Sequence, residues 1–356
     1  MNAPLLPPDV PALPSVIRGR HYTSSHKNLD LSDTIYEDCH FDQLHWSRCR
    51  LSGLRFVNCR FDANHFEDCD LTRLVFENCQ IAEGEWADSV LRGLSFTGGE
   101  IRGARWQDSL LKDMVLANIK GASLQFDAVR AAHVSFVASE LTKVSLRGAR
   151  WSDVSWIDVQ LSELQVMAVE LENFIVGQSL CTGVVLTDCS GINVRWIDSK
   201  IEQMTLQASK LKQAAWSHSH WTGGSINGST LPFVSFDHAV LTDMTIRNSE
   251  LFQAMFDHAN VKNCDFQALR APRVAFRHAR LERVQLVAAE LRGIDARGAD
   301  LCDVNLTGSD CRSGLLTGQP RNVWSAADTK NTKFDDAALD DDGLWRQRIQ
   351  PGARGI

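Results

Sequence analysis

Residues 39–79 read CHFDQLHWSRCRLSGLRFVNCRFDANHFEDCDLTRLVFENC, and two spacings run through this stretch. Cysteine recurs every ten residues from Cys39 to Cys79, and a large apolar side chain recurs every five residues from Phe41 to Phe76. A five-residue period fits neither the α-helix, with about 3.6 residues per turn, nor the β-strand, with its two-residue alternation. The stretch therefore indicates an internal repeat, which decides the architecture before any secondary structure is assigned.

The five-residue period extends far beyond the cysteines. Every residue whose number ends in 1 or 6 is apolar or small from Leu31 to Leu316, which makes 58 consecutive units. A second uncharged position lies two residues before each of these centres, and the other three positions carry most of the charged, amide and hydroxyl groups. Two inward and three outward positions per unit predict a chain that turns a corner every five residues.

The unit matches a known repeat. Ala299-Asp300-Leu301-Cys302-Asp303 and Cys69-Asp70-Leu71-Thr72-Arg73 fit the pattern A-(D/N)-L-x-x, and residues 31–316 resemble the pentapeptide repeat proteins. This resemblance implies an all-β fold, a right-handed quadrilateral β-helix with four units per coil. At twenty residues per coil, the repeat region would form about 14 coils, stacked at the ~4.8 Å spacing of paired strands.

The segments outside the repeat suggest short ends rather than further domains. Residues 1–30 begin Pro-rich, and we expect residues 15–30 to enter the first coil and cover its end. After residues 31–316, a loop is predicted over 317–333 and a short helical cap over 334–349, within the C-terminal segment 317–356. The cap would use Leu339, Leu344, Trp345 and Ile349 as its apolar face. The alternative is a contact segment: some family members dimerise through this end, so a monomer and a C-terminal-end homodimer both stay open.

One inner wall of the coil is predicted to be aromatic. The column at steps of twenty from Tyr36 to Leu316 holds 11 aromatic residues among 15 positions. Residues twenty apart lie over one another in such a coil, so this column predicts a ladder of stacked rings. The columns formed by residues whose numbers end in 1 are instead rich in leucine.

Charge and composition argue against several classes of protein. The net charge is −7, of which residues 31–316 carry −8, residues 1–30 carry +1 and residues 317–356 carry 0. No basic stripe is present, so direct nucleic-acid binding is not expected. No stretch is apolar enough to span a membrane, and no signal peptide precedes the repeat. Ten cysteines without a signal peptide favour a reducing, cytoplasmic location in a bacterium, with leaderless secretion left open.

Two sets of side chains have the residue types of metal ligands. Cys39, Cys59 and Cys79 should stack in one column, but stacked coils hold side chains parallel, so core packing is predicted for them and no metal. A histidine ladder recurs at steps of twenty at the last position of its units, where Asn and Asp stand in earlier coils. Corner residues are the first interpretation of this ladder, and a metal-binding or pH-sensitive group is the alternative. Its members are His218, His238, His258 and His278.

An apolar stripe is predicted to face outward beside the aromatic column. Seven β-branched residues stand where other columns carry charge, and a contiguous exposed apolar patch usually marks a contact site. The alternative is that strand propensity alone selects them. These candidate partner-binding residues are Val57, Val75, Val115, Val137, Ile157, Ile175 and Ile197.

The sequence contains no phosphate-binding glycine loop, nucleophile elbow or HExxH motif, so neither an enzyme nor a cofactor is expected. The first interpretation is a non-enzymatic protein-interaction scaffold or adaptor. Its long loop-free body resembles pentapeptide repeat proteins encoded beside type VI secretion spike and adaptor genes, which implies a spike or adaptor protein as partner. The alternative is a DNA mimic that binds a topoisomerase such as gyrase. Interspersed arginines and a thin negative charge weigh against that alternative.

Overall fold

Four short strands make one turn of the fold. In the computed structural model, which describes residues 15–316 and 327–334, β5 (Thr34–Glu37) is followed by one strand on each of three further sides, and β9 (Arg55–Val57) then lies beside β5. Tyr36 pairs with Phe56 in parallel register, a step of twenty residues. The described residues contain no helix and form a parallel β-solenoid of about 15 turns. The all-β, four-sided prediction is confirmed.

The N-terminal turns use strands of two to four residues. Each pairs in parallel with the strand about twenty residues after it, and from β5 onward also with the strand about twenty residues before it. These strands are β1 Ser15–Arg18, β2 His21–Tyr22, β3 His26–Lys27, β4 Asp30–Ser32, β5 Thr34–Glu37, β6 His40–Asp42, β7 His45–Ser47, β8 Arg50–Ser52, β9 Arg55–Val57, β10 Arg60–Asp62, β11 His65–Glu67, β12 Asp70–Thr72, β13 Val75–Glu77, β14 Gln80–Ala82, β15 Glu85–Ala87, β16 Val90–Arg92, β17 Ser95–Thr97, β18 Glu100–Arg102 and β19 Arg105–Gln107.

The central turns have longer strands that continue around the corners, and the strands shorten again toward the C-terminus. The central strands are β20 Leu110–Ala117, β21 Lys120–Asp127, β22 Arg130–Val137, β23 Glu140–Ile157 and β24 Gln160–Gly177. The remaining strands are β25 Leu180–Thr182, β26 Val185–Thr187, β27 Ser190–Ile192, β28 Arg195–Ile197, β29 Lys200–Gln207, β30 Lys210–Lys212, β31 His220–Asn227, β32 Val240–Thr242, β33 Thr245–Arg247, β34 Asn260–Lys262, β35 Arg280–Glu282, β36 Asp300–Cys302, β37 Val304–Asn305 and β38 Ala327–Asp328.

The core consists of the repeat centres. From Tyr36 to Leu316 every centre is buried except Gly191. The predicted ring ladder is present, with Phe56 and Phe76 stacked at 5.0 Å between ring centroids, although Leu116 and Val176 interrupt it. A second ladder that the sequence reasoning missed occupies another wall at 4.6–5.7 Å and contains Trp46, Phe66, Trp86, Trp106 and Phe126.

The cysteines belong to this core. Nine of the ten are buried, all ten are free thiols, and Cys302 is exposed. Seven of the buried thiols donate to backbone carbonyls of the turn below, as from Cys59 Sγ to the oxygen of Tyr36 at 3.3 Å. Burial raises the pKa of Cys181 to about 12, so this thiol stays protonated at neutral pH. Stacking in the core explains the ten-residue cysteine spacing.

Corners need left-handed backbone. The residue two positions after most centres has a positive φ, such as 53° at Asp38 and 56° at His258. Asn, Asp and Gly tolerate this region best, which explains their frequency at these corners. In the C-terminal turns many corners are also closed by a local backbone hydrogen bond, for example from Ala254 N–H to the Leu251 oxygen at 3.2 Å.

The two ends depart from the twenty-residue step. Ser15 pairs with Thr34, a step of nineteen, so residues 15–18 already belong to the first turn. At the other end Val304 pairs with Ala327, a step of twenty-three. The prediction of a continuous loop over 317–333 is therefore wrong for residues 327–333, because this segment rejoins the solenoid and buries Thr329 and Thr332. Of the helical cap predicted over residues 334–349, the structure describes only Phe334; residues 335–349 and the Pro-rich residues 1–14 lie outside the described residues.

Candidate partner-binding face

One side of the central turns lacks charge. Five successive strand segments stack there in register, around Phe96, Leu116, Phe136, Trp156 and Val176. Their outward positions carry only small, hydroxyl or aliphatic residues. We call these ten positions the neutral face: Ser95, Thr97, Val115, Ala117, Ser135, Val137, Ser155, Ile157, Ile175 and Gly177.

The other three sides of the same turns carry ion pairs. Arg102 contacts Glu100 at 2.5 Å, Arg105 contacts Asp127 at 3.1 Å, and Arg150 contacts Glu172. Met167 and Leu180 are exposed on these sides, but their register neighbours include Arg147 and Lys200, respectively. An uncharged strip therefore distinguishes one side of the solenoid from the others.

The neutral face is flat and partly exposed. Val115 is 41% exposed and Val137 36%, and the three serines and two isoleucines of the face are half-buried because neighbouring strands shield them. Ser135 and Ser155 hydrogen-bond each other at 2.9 Å, so their hydroxyls are satisfied within the face. Below them Trp156 is fully buried, 5.0 Å from Phe136, which gives the surface a close-packed support.

The rim of the face is polar. Corner residues Asp113 and Asp153 line one edge and Asp158 lines the other. Asn173 donates to Asp153 across 2.9 Å, and Asn193 donates to Asn173 across 3.0 Å, so amide side chains form a ladder along the rim. An apolar centre with a polar rim is the usual arrangement of protein–protein interfaces.

The seven residues of the predicted stripe fall into two groups. Val115, Val137, Ile157 and Ile175 lie on the neutral face, and Ile197 continues it beside Arg195. The expectation of one contiguous stripe is wrong at its N-terminal end. Val57 stands between Glu37 and Glu77 in register, and Val75 stands next to Arg55. Arg55 and Glu77 form an ion pair at 2.8 Å, so both valines lie next to charged side chains.

The predicted histidine ladder is present at a corner. The rings of His218, His238, His258 and His278 stack with centroids 4.8, 4.7 and 5.1 Å apart. All four have φ near 55°, as the corner interpretation requires. Asp237 contacts His238 Nδ1 at 3.0 Å, whereas Asp257 accepts three hydrogen bonds from Arg277. The metal-binding and pH-sensitive alternatives remain predictions.

An aromatic patch was missed in the sequence. Phe233, Phe252 and Met255 are each 38–39% exposed, and the two phenylalanine rings contact edge to face at 5.7 Å. Phe233 has φ 61°, a conformation that costs a bulky side chain roughly 1–2 kcal/mol. Its position two residues after Leu231, where other units have Asn, Asp or Gly, was a signal available in the sequence.

Comparison with protein families identifies the repeat at both ends. Residues 29–106 match one family model, described as a pentapeptide repeat region, and residues 273–318 match a second, described as pentapeptide repeats of eight copies. No curated protein matches the sequence. Within the described residues no helix is long and apolar enough to cross a lipid bilayer.

Several solved structures show low sequence identity to the chain. A trypsin-treated form of QnrB1, a plasmid-mediated fluoroquinolone resistance protein, is 12% identical, covering 59% of this chain and 100% of its own, with a TM-score of 0.35. HetL, a pentapeptide repeat protein involved in heterocyst differentiation regulation from Nostoc sp. strain PCC 7120, is 13% identical, covering 79% and 90%, with a TM-score of 0.22. A tailspike protein of E. coli bacteriophage HK620 is 9% identical, covering 92% and 72%, with a TM-score of 0.31.

The strand register described above establishes the fold. The family matches cover 29–106 and 273–318, and the same five-residue core continues unbroken between them. The chain thus carries pentapeptide repeats in its N-terminal and C-terminal turns, within one parallel β-solenoid.

Proposed function

We propose that this protein is a non-enzymatic interaction scaffold and that a protein partner docks on the neutral face. The observation that carries the proposal is the absence of charge over five stacked strands, from Ser95 to Gly177, while every other side of these turns is ion-paired. A contiguous patch of uncharged, partly exposed aliphatic side chains on one side of the rod usually marks a contact surface.

The size of the face constrains the complex. Five strands of three residues cover about 24 Å by 10 Å, or roughly 240 Å². A stable complex buries about 800 Å² on each partner. The partner therefore also covers the amide and carboxylate rim, including Asp113, Asp153 and Asn173. This polar rim favours a partner with hydrogen-bond donors around an apolar centre.

The partner class that we propose is a spike or adaptor component of a type VI secretion system, in a bacterial cytoplasm. Two features support this choice. The body resembles members encoded beside such genes, and no insertion interrupts the step of twenty between Leu31 and Leu301. An unbroken rod presents one continuous side, which suits joining two components.

The competing class, a DNA mimic that binds gyrase, is less well supported. Duplex DNA carries a negative charge about every 1.7 Å of axis. Here acidic residues are paired with basic ones along the outer sides, as in Arg270 with Glu250 and Glu290. Pairing of this kind neutralises the surface instead of copying a polyanion.

The test is capture of purified spike and adaptor proteins by the full chain. The double variant Val137→Asp/Ile157→Asp should lose at least ten-fold in affinity, because each carboxylate would be desolvated under the partner. Val57→Asp is the matched control: it has the same chemistry between Glu37 and Glu77, outside the neutral face, and should bind as the wild type does.

Equal capture by the double variant and the wild type would overturn the proposed docking face. If spike and adaptor proteins are not captured at all, the partner class is wrong. A gyrase supercoiling assay decides the competing class: inhibition by the wild type at micromolar concentration would replace the scaffold proposal by the DNA mimic.

A further inference from the structure

A cluster of histidine and glutamate lies on the side opposite the neutral face. His45 is on β7, His65 and Glu67 are on β11, and Glu85 is on β15. The three strands are adjacent and in register, with His65 between His45 and Glu85. All four side chains point outward, and the ligand atoms of His45, His65 and Glu67 lie within 4.8 Å of one another.

We propose that His45, His65 and Glu67 bind a divalent transition ion of the zinc class, with Glu85 holding His65 in place. Two imidazoles and one carboxylate form a familiar zinc ligand set that leaves a fourth position open. His45 Nε2 and Glu67 Oε2 are 3.1 Å apart, close to the roughly 3.4 Å between two tetrahedral ligands that each sit about 2.1 Å from one ion.

Glu85 supplies the outer contact that metal-binding histidines usually have. Its Oε2 lies 3.0 Å from His65 Nδ1, which leaves Nε2 of that ring for the ion. A carboxylate on the second ring nitrogen fixes the tautomer and the ring orientation of the ligand. His65 is also the most buried of the four, with 28% of its side chain exposed, so it is the anchor of the site.

Charge at the site favours a cation. Within the described residues, Glu67 and Glu85 make ion pairs with histidine alone. Arg105 is the register neighbour of Glu85, but its guanidinium contacts Asp127 at 3.1 Å. The two carboxylates are therefore available to offset the charge of an ion.

Two other clusters contain the same residue types and are less suitable. In the cluster of His40, Asp42 and Asp62, the carboxylate of Asp62 already contacts Arg60 at 2.5 Å. In the cluster of His218, Asp237 and His238, the histidine rings are stacked with an interplanar angle of 15°, so their lone pairs run side by side. The rings of His45 and His65 are tilted by 56°, which lets them converge.

The open coordination position suggests how the ion acts. The three ligands come from two successive turns near the N-terminal end, so a bound ion cross-links these turns, and Glu85 adds an outer contact from the next turn. Water or a side chain of a partner completes the coordination. Because the metal site and the neutral face lie on opposite sides of the solenoid, an experiment can contradict one proposal without contradicting the other.

The experiment is a titration of the full chain with ZnCl2 by calorimetry, and with Co²⁺ by visible absorption. One equivalent should bind, and the Co²⁺ spectrum should be that of a four-coordinate ion. His65→Gln should weaken binding at least ten-fold, and Glu85→Gln about ten-fold through loss of the outer contact. Glutamine occupies the same column at Gln125 and Gln165, so both variants keep a side chain that suits the strand.

The matched control is His238→Asn, which removes a histidine beside an aspartate at a corner where Asn58 and Asn118 are native. It should bind Zn²⁺ as tightly as the wild type. Absence of binding by the wild type at millimolar Zn²⁺ would overturn the proposal, and so would a loss in His238→Asn equal to that in His65→Gln. Zn²⁺ should also raise the melting temperature of the wild type and leave that of His65→Gln unchanged.

Discussion

The central turns (residues 110–177) and the C-terminal turns (residues 228–316) share one core pattern but differ in backbone and surface. The central strands run up to 18 residues and pass around corners, whereas the C-terminal turns pair through three-residue strands and isolated bridges. C-terminal corners are closed by local hydrogen bonds, such as Ala279 N–H to the Phe276 oxygen at 3.1 Å. The inward residues thus determine how the turns stack, and the outward residues determine whether a corner continues the strand or is closed by a local hydrogen bond.

The largest expected effect comes from removing a core ring in each region. Trp156→Ala and Phe256→Ala should each lower the free energy of unfolding by about 3–5 kcal/mol, because both rings are fully buried. Hydrogen exchange should show the difference. Loss of protection should spread over several turns in the central variant, where strands are continuous, and stay within about one turn in the C-terminal variant. Loss of protection over the same number of turns in both variants would show that the continuous strands do not couple the central turns more strongly than the C-terminal turns are coupled.

A smaller effect is expected at Gly191, which lies between the two regions and is the one centre from Tyr36 to Leu316 that is not buried. A Cβ there would lie 2.1 Å from the Leu171 oxygen, so the turns must separate. Gly191→Ala should cost about 2–3 kcal/mol in urea unfolding. Gly228→Ala is the control, because its Cβ meets nothing within 4 Å and only the positive φ of 59° opposes it. That variant should lose about 1 kcal/mol, and a similar loss at both sites would contradict the close approach.

Acid should weaken the C-terminal turns through Asp310. The hydrogen bond from the Arg312 guanidinium lowers the pKa of Asp310 to about 2. Because the folded pKa lies below the unfolded value of about 4, the stabilisation is complete above pH 4 and is lost as the pH falls to about 2. It amounts to about 1–2 kcal/mol. Hydrogen exchange of residues 300–316 at pH 5 and pH 2.5 should show this loss in the wild type and a smaller pH dependence in Asp310→Asn.

The smallest effect concerns the aromatic corner of the C-terminal turns. Phe233→Asn should stabilise the protein by about 0.5 kcal/mol, because Asn tolerates φ 61° and the gain exceeds the lost ring contact. Phe252→Asn has no such backbone strain to relieve and should be destabilising by a similar amount. Chemical denaturation measures both. Destabilisation by Phe233→Asn would show that the contacts of the ring contribute more to stability than the backbone strain at this corner costs.

The sequence predicted the fold in detail because the core is strictly periodic. The step of twenty follows from Tyr36, Phe56 and Phe76, and the structure stacks them as expected. The ends were harder, since the step of twenty-three between Val304 and Ala327 leaves no periodic signal. The positions of the valines do not by themselves predict the extent of the neutral face. Val57 and Val137 occupy the same column, and only the register neighbours of Val57 are charged.

The residues of the candidate metal site also follow the step of twenty, but they were not among the sites predicted from the sequence. His45 and His65 are one step of twenty apart, as are His65 and Glu85, and the same step separates the members of the longer ladder from His218 to His278. What the spacing could not supply is ring orientation. The tilt between His45 and His65 and the contact of Arg60 with Asp62 decide between otherwise similar clusters, and both are properties of side-chain conformation.

The step of twenty between stacked strands also limits how such a gene can change in length. Loss or gain of five residues would keep every centre apolar yet turn all later residues onto the next side of the rod. After such a change between Ala117 and Val137, Val137 and Ile157 would no longer align with Thr97. Loss or gain of twenty residues would alter only the height of the rod. Viable length variants of this protein should therefore differ by whole coils.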